Sequence, residues 1–288
     1  MQQFVSDYME GAAPEILDAL IRTNMEKTAG YGCDPYCESA RAKIRAACEA
    51  PNAEVHFLVG GTQTNETVIS TLLRPWQGVL AVESAHINTH EAGAIEHGGH
   101  KVLTVPGVEG KLTGDAVRAY VEVFFADANH EHEVEPGMVY ISQTTEYGTL
   151  YTRAELEELR AVCDEFNLPL FIDGARLGYA LTATGNDASL ADIARVADVF
   201  YIGGTKVGAL FGEAVVFPKP GLIPRFYTLT KQHGAMLAKG RILGIQFDVL
   251  FTDGLYERIA RQANVCADRI RAALIERGYT PVSYTHLT

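Results

Sequence analysis

Between Val55 and Phe217 the chain alternates short apolar runs with segments of helical periodicity, and no other feature narrows its possible folds as far. The runs are Val55–Val59, Val79–Val82, Lys101–Val105, Val139–Ser142, Pro169–Ile172, Val199–Ile202 and Glu213–Phe217. Each is of strand length, is rich in Val, Ile, Leu and Phe, and lacks strict polar alternation, as strands buried on both faces do. Helical segments separate most of them; the best marked opens at Thr152, where Thr152 and Glu155 form a capping box ahead of Leu156, Leu159, Val162 and Phe166. Alternation over roughly 160 residues predicts an α/β fold, a mostly parallel seven-stranded sheet with helices on both faces. Before it, Pro14–Lys27 reads as a helix, and Asp34 followed by Pro35 caps a second that runs to about Ala50. After it the pattern is helical, around Met236–Leu250 and from Leu255 to Gly278. The expected division is 1–50 arm and helices, 51–250 large α/β domain, and 251–281 the start of a small C-terminal domain.

Two of the apolar runs end in chemistry. Leu170–Phe171–Ile172 stops at Asp173, then Gly174–Ala175–Arg176; Val199–Phe200–Tyr201–Ile202 stops at Gly203–Gly204–Thr205–Lys206. Open parallel sheets bind ligands beyond the C-terminal edges of their strands. An acid and an amine delivered there, one βαβ unit apart, are the pair that pyridoxal 5'-phosphate requires. The lysine forms a Schiff base with the aldehyde, and the acid keeps the ring nitrogen protonated. A lysine after two glycines can also be a solvated loop residue, and it is the pairing with Asp173 that points to the cofactor. Gly203 and Gly204 would clear side chains from the path of a flat ring.

Gly60–Gly61–Thr62 lies between a strand and a helix N-terminus, where free N–H groups suit a phosphate. Such a turn is compatible with pure geometry or with an anion site. It is neither a Walker A loop nor a dinucleotide-binding fingerprint. His86, at the next strand end, is placed to lie over a cofactor ring. His90, His97 and His100 read as surface or loop histidines, and no metal signature is present. Arg176, three residues past Asp173, is either half of an ion pair or a fork for a substrate carboxylate.

The formal charge of −12 argues against non-specific nucleic-acid binding and against an anionic membrane surface. No apolar run approaches the ~18 residues of a membrane span, and the N-terminus lacks a signal-peptide pattern. Five cysteines without Cys-x-x-Cys spacing read as reduced thiols in the cytoplasm. The last seven residues, Val282–Thr288, resemble the translation of a transposase adaptor used in library preparation. Residues 282–288 are therefore expected to be a non-native tail, and the small domain to be truncated.

Over residues 4 to 280 the chain resembles the threonine aldolase/β-eliminating lyase group of fold-type I pyridoxal phosphate enzymes. The matching pieces are Ser6–Asp7, Tyr31–Gly32–Cys33–Asp34–Pro35, Phe57 through Asn65, Ala85–His86 with Glu91–Ala92–Gly93, Asp173 through Arg176, and Thr205–Lys206. The resemblance implies Lys206 as the Schiff-base lysine, Asp173 at the ring nitrogen and His86 stacked on the ring. It implies Gly61 and Thr62 on the phosphate, Gly60, Arg176 and Thr205 among the other cofactor contacts, and Ser6 and Arg176 on the substrate carboxylate. Tyr31 and the Lys231–Lys239 region are expected to act across the interface of a homodimer or homotetramer. The chain departs from the group where a second histidine would stand near the substrate hydroxyl: Gln143–Thr144–Thr145–Glu146 puts Glu146 there, with Thr205–Lys206–Val207 for Ser-Lys-Gly. The implied activity is retro-aldol cleavage of a β-hydroxy-α-amino acid, with His86 or a water held near it, and then Glu146, as candidate bases. Another β-eliminating lyase or an aminotransferase on the same cofactor, a cofactor-binding protein without turnover, and a nucleotide-binding α/β protein are the alternatives.

Overall fold

The computed structural model describes residues 5–280; the proposed non-native tail lies outside them. Seven strands form one sheet: β1 (Glu54–Leu58), β2 (Gln77–Val82), β3 (Val102–Val105), β4 (Glu135–Ser142), β5 (Leu170–Asp173), β6 (Val199–Gly203) and β7 (Glu213–Phe217). Their order across the sheet is β1-β7-β6-β5-β4-β2-β3. β7 runs antiparallel to both of its neighbours, and every other pairing is parallel. The reversal follows from the connection into β7. Only the turn Gly204–Gly212 joins it to β6, too short to carry a crossover helix, so the chain must return antiparallel.

The central strands β4 to β6 are buried nearly from end to end, which is why they read as continuous apolar runs. Around them packs one apolar cluster that takes in both faces of the sheet, including Leu80, Val139, Phe171, Phe200 and Phe247. The helix Arg153–Phe166 opens with the expected capping box between Thr152 and Glu155. Asp34 caps Pro35–Ala47 through the Cys37 N–H at 2.9 Å. Each cap satisfies first-turn donors that have no partner inside the helix.

Some boundaries differ from the sequence expectation. The first helix stops at Thr23, whose hydroxyl donates to the Ala19 carbonyl and whose own carbonyl, with those of Asn24 and Glu26, is taken by Arg241. The helix expected around Met236–Leu250 begins only at Arg241 and runs to Leu250, and a short helix not read from the sequence, Phe226–Gln232, precedes it across a turn with Gly234 at φ +66°. The long helix Leu255–Glu276 is fixed at its start: Tyr256 donates to the Gly203 carbonyl at the end of β6, and Asn264 donates to the Tyr179 carbonyl and the Thr182 hydroxyl. No helix among the described residues is long and apolar enough to cross a membrane.

Candidate active site

The C-terminal edges of β5 and β6 lie against each other. The Gly203 N–H donates to the Gly174 carbonyl at 2.9 Å. A Cβ on Gly174 would sit 1.8 Å from the Tyr201 carbonyl oxygen, and one on Gly203 would sit 2.3 Å from that of Ala175. Neither position tolerates a side chain. The sequence expectation had Gly203 and Gly204 clearing room for a ring. What they permit instead is backbone approach, since a Cβ on Gly204 would meet the Gly212 carbonyl at 2.7 Å. That approach brings the acid and the amine to one edge.

Asp173 is 4% exposed, a depth at which an isolated carboxylate could not stay charged. Four donors surround it. Tyr140 and Asn65 donate to Oδ2 at 2.5 and 3.1 Å, and Tyr201 and the Ala175 N–H donate to Oδ1 at 2.5 and 2.9 Å. Burial and the neighbouring Asp173 charge push both tyrosine hydroxyls well above their ordinary pKa, so they stay protonated and donate. Asn65 Nδ2 also reaches Glu91 Oε1 at 2.7 Å and the Tyr140 hydroxyl at 3.4 Å. It can therefore release Asp173 to another donor without being orphaned.

Glu91 carries the network onward. Its side chain is fully enclosed, and its Oε1 meets His86 Nδ1 at 2.7 Å. That bond is the main reason the His86 pKa lies above the ordinary value, opposed by burial and reinforced by the Asp173 and Glu91 charges. His86 opens a one-turn helix whose first N–H donates to Glu146 Oε1 at 2.9 Å, and Ser142 donates to the same oxygen at 2.7 Å. Glu146 thus stands beneath His86 as a brace, and burial raises its carboxyl above the usual range.

Lys206 differs from all of these. Its amine makes no hydrogen bond or ion pair among the described residues. Burial first, and the Arg176 charge second, lower its pKa, while Asp7, Asp173 and Glu213 act in the opposite sense. It faces a cleft of about 1300 Å³ between the N-terminal arm and the long C-terminal helix, shared with Ser6, Asp7, Tyr179, Thr205 and Arg269. Arg176 is held by Asp7 through a two-pronged contact, Nε to Oδ2 at 2.7 Å and Nη2 to Oδ1 at 3.1 Å. The fork read from the sequence as an ion pair or a carboxylate site is an ion pair here, formed with a residue 169 positions away.

The structure gathers Ser6, Thr205 and Lys206 around the cleft, holds Arg176 to the cleft-lining Asp7, and ties Asp173 to His86 through Asn65 and Glu91. Tyr31 stands apart from them. It is in the left-handed region at φ +57°, lies under Lys231 Nζ at 4.3 Å, and borders a separate small recess with Tyr227. Tyr140, Tyr201, Glu91, Asn65 and Glu213 complete the arrangement but carried no assigned role in the sequence. For Asn65 and Glu91 a signal existed, because both lie inside motifs singled out there.

The residues fit pyridoxal 5'-phosphate on the chemistry of the donor set. The helix Gly61–Leu72 presents first-turn N–H groups without intrahelical acceptors, and a Cβ on Gly60 would meet nothing within 4 Å, so space for an anion is open there. A buried carboxylate for a protonated ring nitrogen and a partly desolvated amine for an aldehyde are the other two requirements.

Comparison with known proteins agrees. Residues 3–282 match the family profile described as Beta-eliminating lyase. A low specificity L-threonine aldolase of a Pseudomonas species is 34% identical over 278 residues, covering 96% of this chain and 79% of that protein. Its counterpart in Pseudomonas aeruginosa is 34% identical over 277 residues, covering 95% of this chain and 78% of that protein. A solved structure of Leishmania major threonine aldolase superposes with a TM-score of 0.93 at 47% identity, over 97% of this chain and 82% of that one. Thermus thermophilus aspartate aminotransferase shares the fold, at a TM-score of 0.73 and 17% identity over 93% of this chain and 69% of that one.

Proposed function

The chain belongs to the β-eliminating lyase family, and from that premise we propose that it is a pyridoxal 5'-phosphate-dependent aldehyde-lyase. Its reaction is cleavage of a β-hydroxy-α-amino acid of the L-threonine type to glycine and an aldehyde. The observation that carries this reading is the contrast at one sheet edge between a buried, four-donor Asp173 and a desolvated Lys206 whose amine has no hydrogen-bond or ion-pair partner among the described residues.

When bound, the cofactor supplies an electron sink for the pair released as a bond to Cα breaks. The chain's own residues do the remainder. Lys206 holds its amine in a site where burial and Arg176 favour the neutral form, the state in which nitrogen is nucleophilic. Asp173 provides the negative charge for a protonated ring nitrogen, and Tyr140 and Tyr201 fix its orientation from the flanking strands. Gly60, Gly61, Thr62 and Thr205 would hold the phosphate. Ser6, at the cleft, and Arg176, whose charge acts on Lys206, would take the substrate carboxylate, which orients the bond to be broken.

His86 is the base for the β-hydroxyl proton. Glu91 anchors Nδ1, which leaves Nε2 to accept, and the same contact stabilises the imidazolium once the proton has arrived. Glu146, with one oxygen committed to the His86 N–H and the Ser142 hydroxyl, positions His86. Contribution of Tyr31 and Lys231 across a homo-oligomer interface, the division into a large and a small domain, and a cytoplasmic setting belong to the same proposal.

Product analysis tests it. Purified protein supplied with the cofactor and L-threonine should yield glycine and acetaldehyde in equal amounts. 2-Oxobutanoate with ammonia, or the 3-hydroxy-2-oxo acid formed only when an amino-group acceptor is present, would replace the aldol reading with elimination or transamination.

A further inference from the structure

Behind the lysine turn lies a carboxyl for which the reaction above has no use. Glu213 opens β7, is 3% exposed, and faces back into the turn. The Gly204 N–H donates to Oε2 at 3.1 Å, and Oε1 lies 2.7 Å from the Thr205 hydroxyl oxygen. The Thr205 oxygen also accepts the Gly212 N–H at 3.0 Å. Thr205 borders the cleft next to Lys206.

A hydroxyl has one hydrogen to give and two lone pairs to receive with. At Thr205 the Gly212 N–H takes one lone pair. If Glu213 is ionised, the hydroxyl hydrogen goes to the carboxylate, and the position left over is a lone pair that repels an anion. If Glu213 carries its proton, that O–H takes the second lone pair, and the Thr205 hydrogen is free to be donated. One proton on Glu213 therefore decides whether Thr205 presents an acceptor or a donor.

The groups that face Glu213 are Asp173 from β5, Tyr201 from β6, Lys206 from the turn and Tyr256 from the long helix. Burial is the largest influence and favours the neutral acid, as does the Asp173 charge. The two hydrogen bonds and Lys206 oppose them, and the carboxyl is pushed up to about 8.

We propose that Glu213 is a positioning residue that, un-ionised, donates to Thr205 Oγ1 and thereby turns the Thr205 hydroxyl into a donor toward the anionic cofactor held beside Lys206. The inference rests on the cofactor reading above and adds a residue to it. Glu213→Gln isolates the effect, because the amide keeps an acceptor for Gly204 and a permanent donor for Thr205 and does not titrate.

The test uses the full chain without cofactor and pyridoxamine 5'-phosphate, which cannot form a Schiff base with Lys206. Its affinity is measured by titration calorimetry on either side of the Glu213 titration. The wild type should lose about tenfold in affinity as pH rises through that range, the worth of one hydrogen bond to an anion. Glu213→Gln should hold its affinity over the same range; titrations of the ligand itself are common to both proteins and cancel. Thr205→Val should bind more weakly and show the same flattening, which keeps the proposal exposed if the glutamine variant does not fold. An identical pH dependence in the wild type and in either variant would overturn the assignment. Failure of the wild type to bind at any pH would overturn the cofactor reading and this inference with it.

Discussion

The two ends of the site are built in opposite ways. Around Asp173 every acceptor position is filled, by two strands, a helix and the turn that follows. Around Lys206 the amine is left without a hydrogen-bond or ion-pair partner among the described residues, at the wall of a large cleft. The difference follows from what each must do. A charge that has to persist in a buried place needs pre-oriented donors, which cost no reorganisation during reaction. A nucleophile that has to form and break bonds is hindered by any strong contact. The lesson is that satisfaction marks the electrostatic end of such a site, and under-coordination marks the reactive end.

The contrast can be broken most severely at its reactive end. Lys206→Ala should lower kcat by about 10⁴-fold or more, as loss of a covalent group does, with little change in denaturant midpoint because no described contact is lost. A large loss of stability instead would mean that the amine has a structural partner. At the saturated end, Asp173→Asn should do both kinds of damage. Activity should fall about 10³-fold, and urea unfolding should show a loss of about 2–4 kcal/mol, because buried tyrosine donors lose an acceptor. An active, fully stable variant would contradict the electrostatic role.

Between the two ends stands His86, and its test is the shape of a pH profile. His86→Gln should cost about 10²-fold in kcat/KM. Because Glu91 raises the His86 pKa, the acid limb of the wild-type profile should lie above the ordinary histidine range. Glu91→Gln should move it to lower pH. The same shift ties stability to pH: the contribution is complete below the unfolded-state pKa and is lost as pH rises through the raised folded value. An unmoved acid limb in Glu91→Gln would assign that limb to another group.

The smallest effect should come from the arm. Asp7→Ala removes the two-pronged hold on Arg176, whose partners are each part-exposed. The stability change should stay near 1 kcal/mol or below. The change should fall mainly on KM, since Arg176, proposed to meet the substrate carboxylate, would lose its fixed direction. An effect confined to kcat would place Asp7 nearer to the reacting atoms than the arm suggests.

Much of this was legible before any coordinates. All seven strands, the sheet class, the Thr152 and Asp34 caps, and the delivery of Asp173 and Lys206 to strand ends are local patterns, readable because a strand or helix stamps its own period on the chain. The partners of those residues were not legible. Tyr140 and Tyr201 read as ordinary core aromatics on neighbouring strands, yet they reach Asp173 across 33 and 28 residues. Glu213 looked like one polar residue at a strand start, and Asp7 gave no sign that it would close on Arg176.

By itself the sequence determined which elements form and which functional groups stand at their ends, because propensity, periodicity and capping act over a few residues. Only the tertiary structure decided which of those groups are satisfied and which are left free. That outcome depends on strand order and on backbone approach at Gly174 and Gly203, where no Cβ fits. The contacts that settle it join segments whose separation along the chain carries no periodic trace.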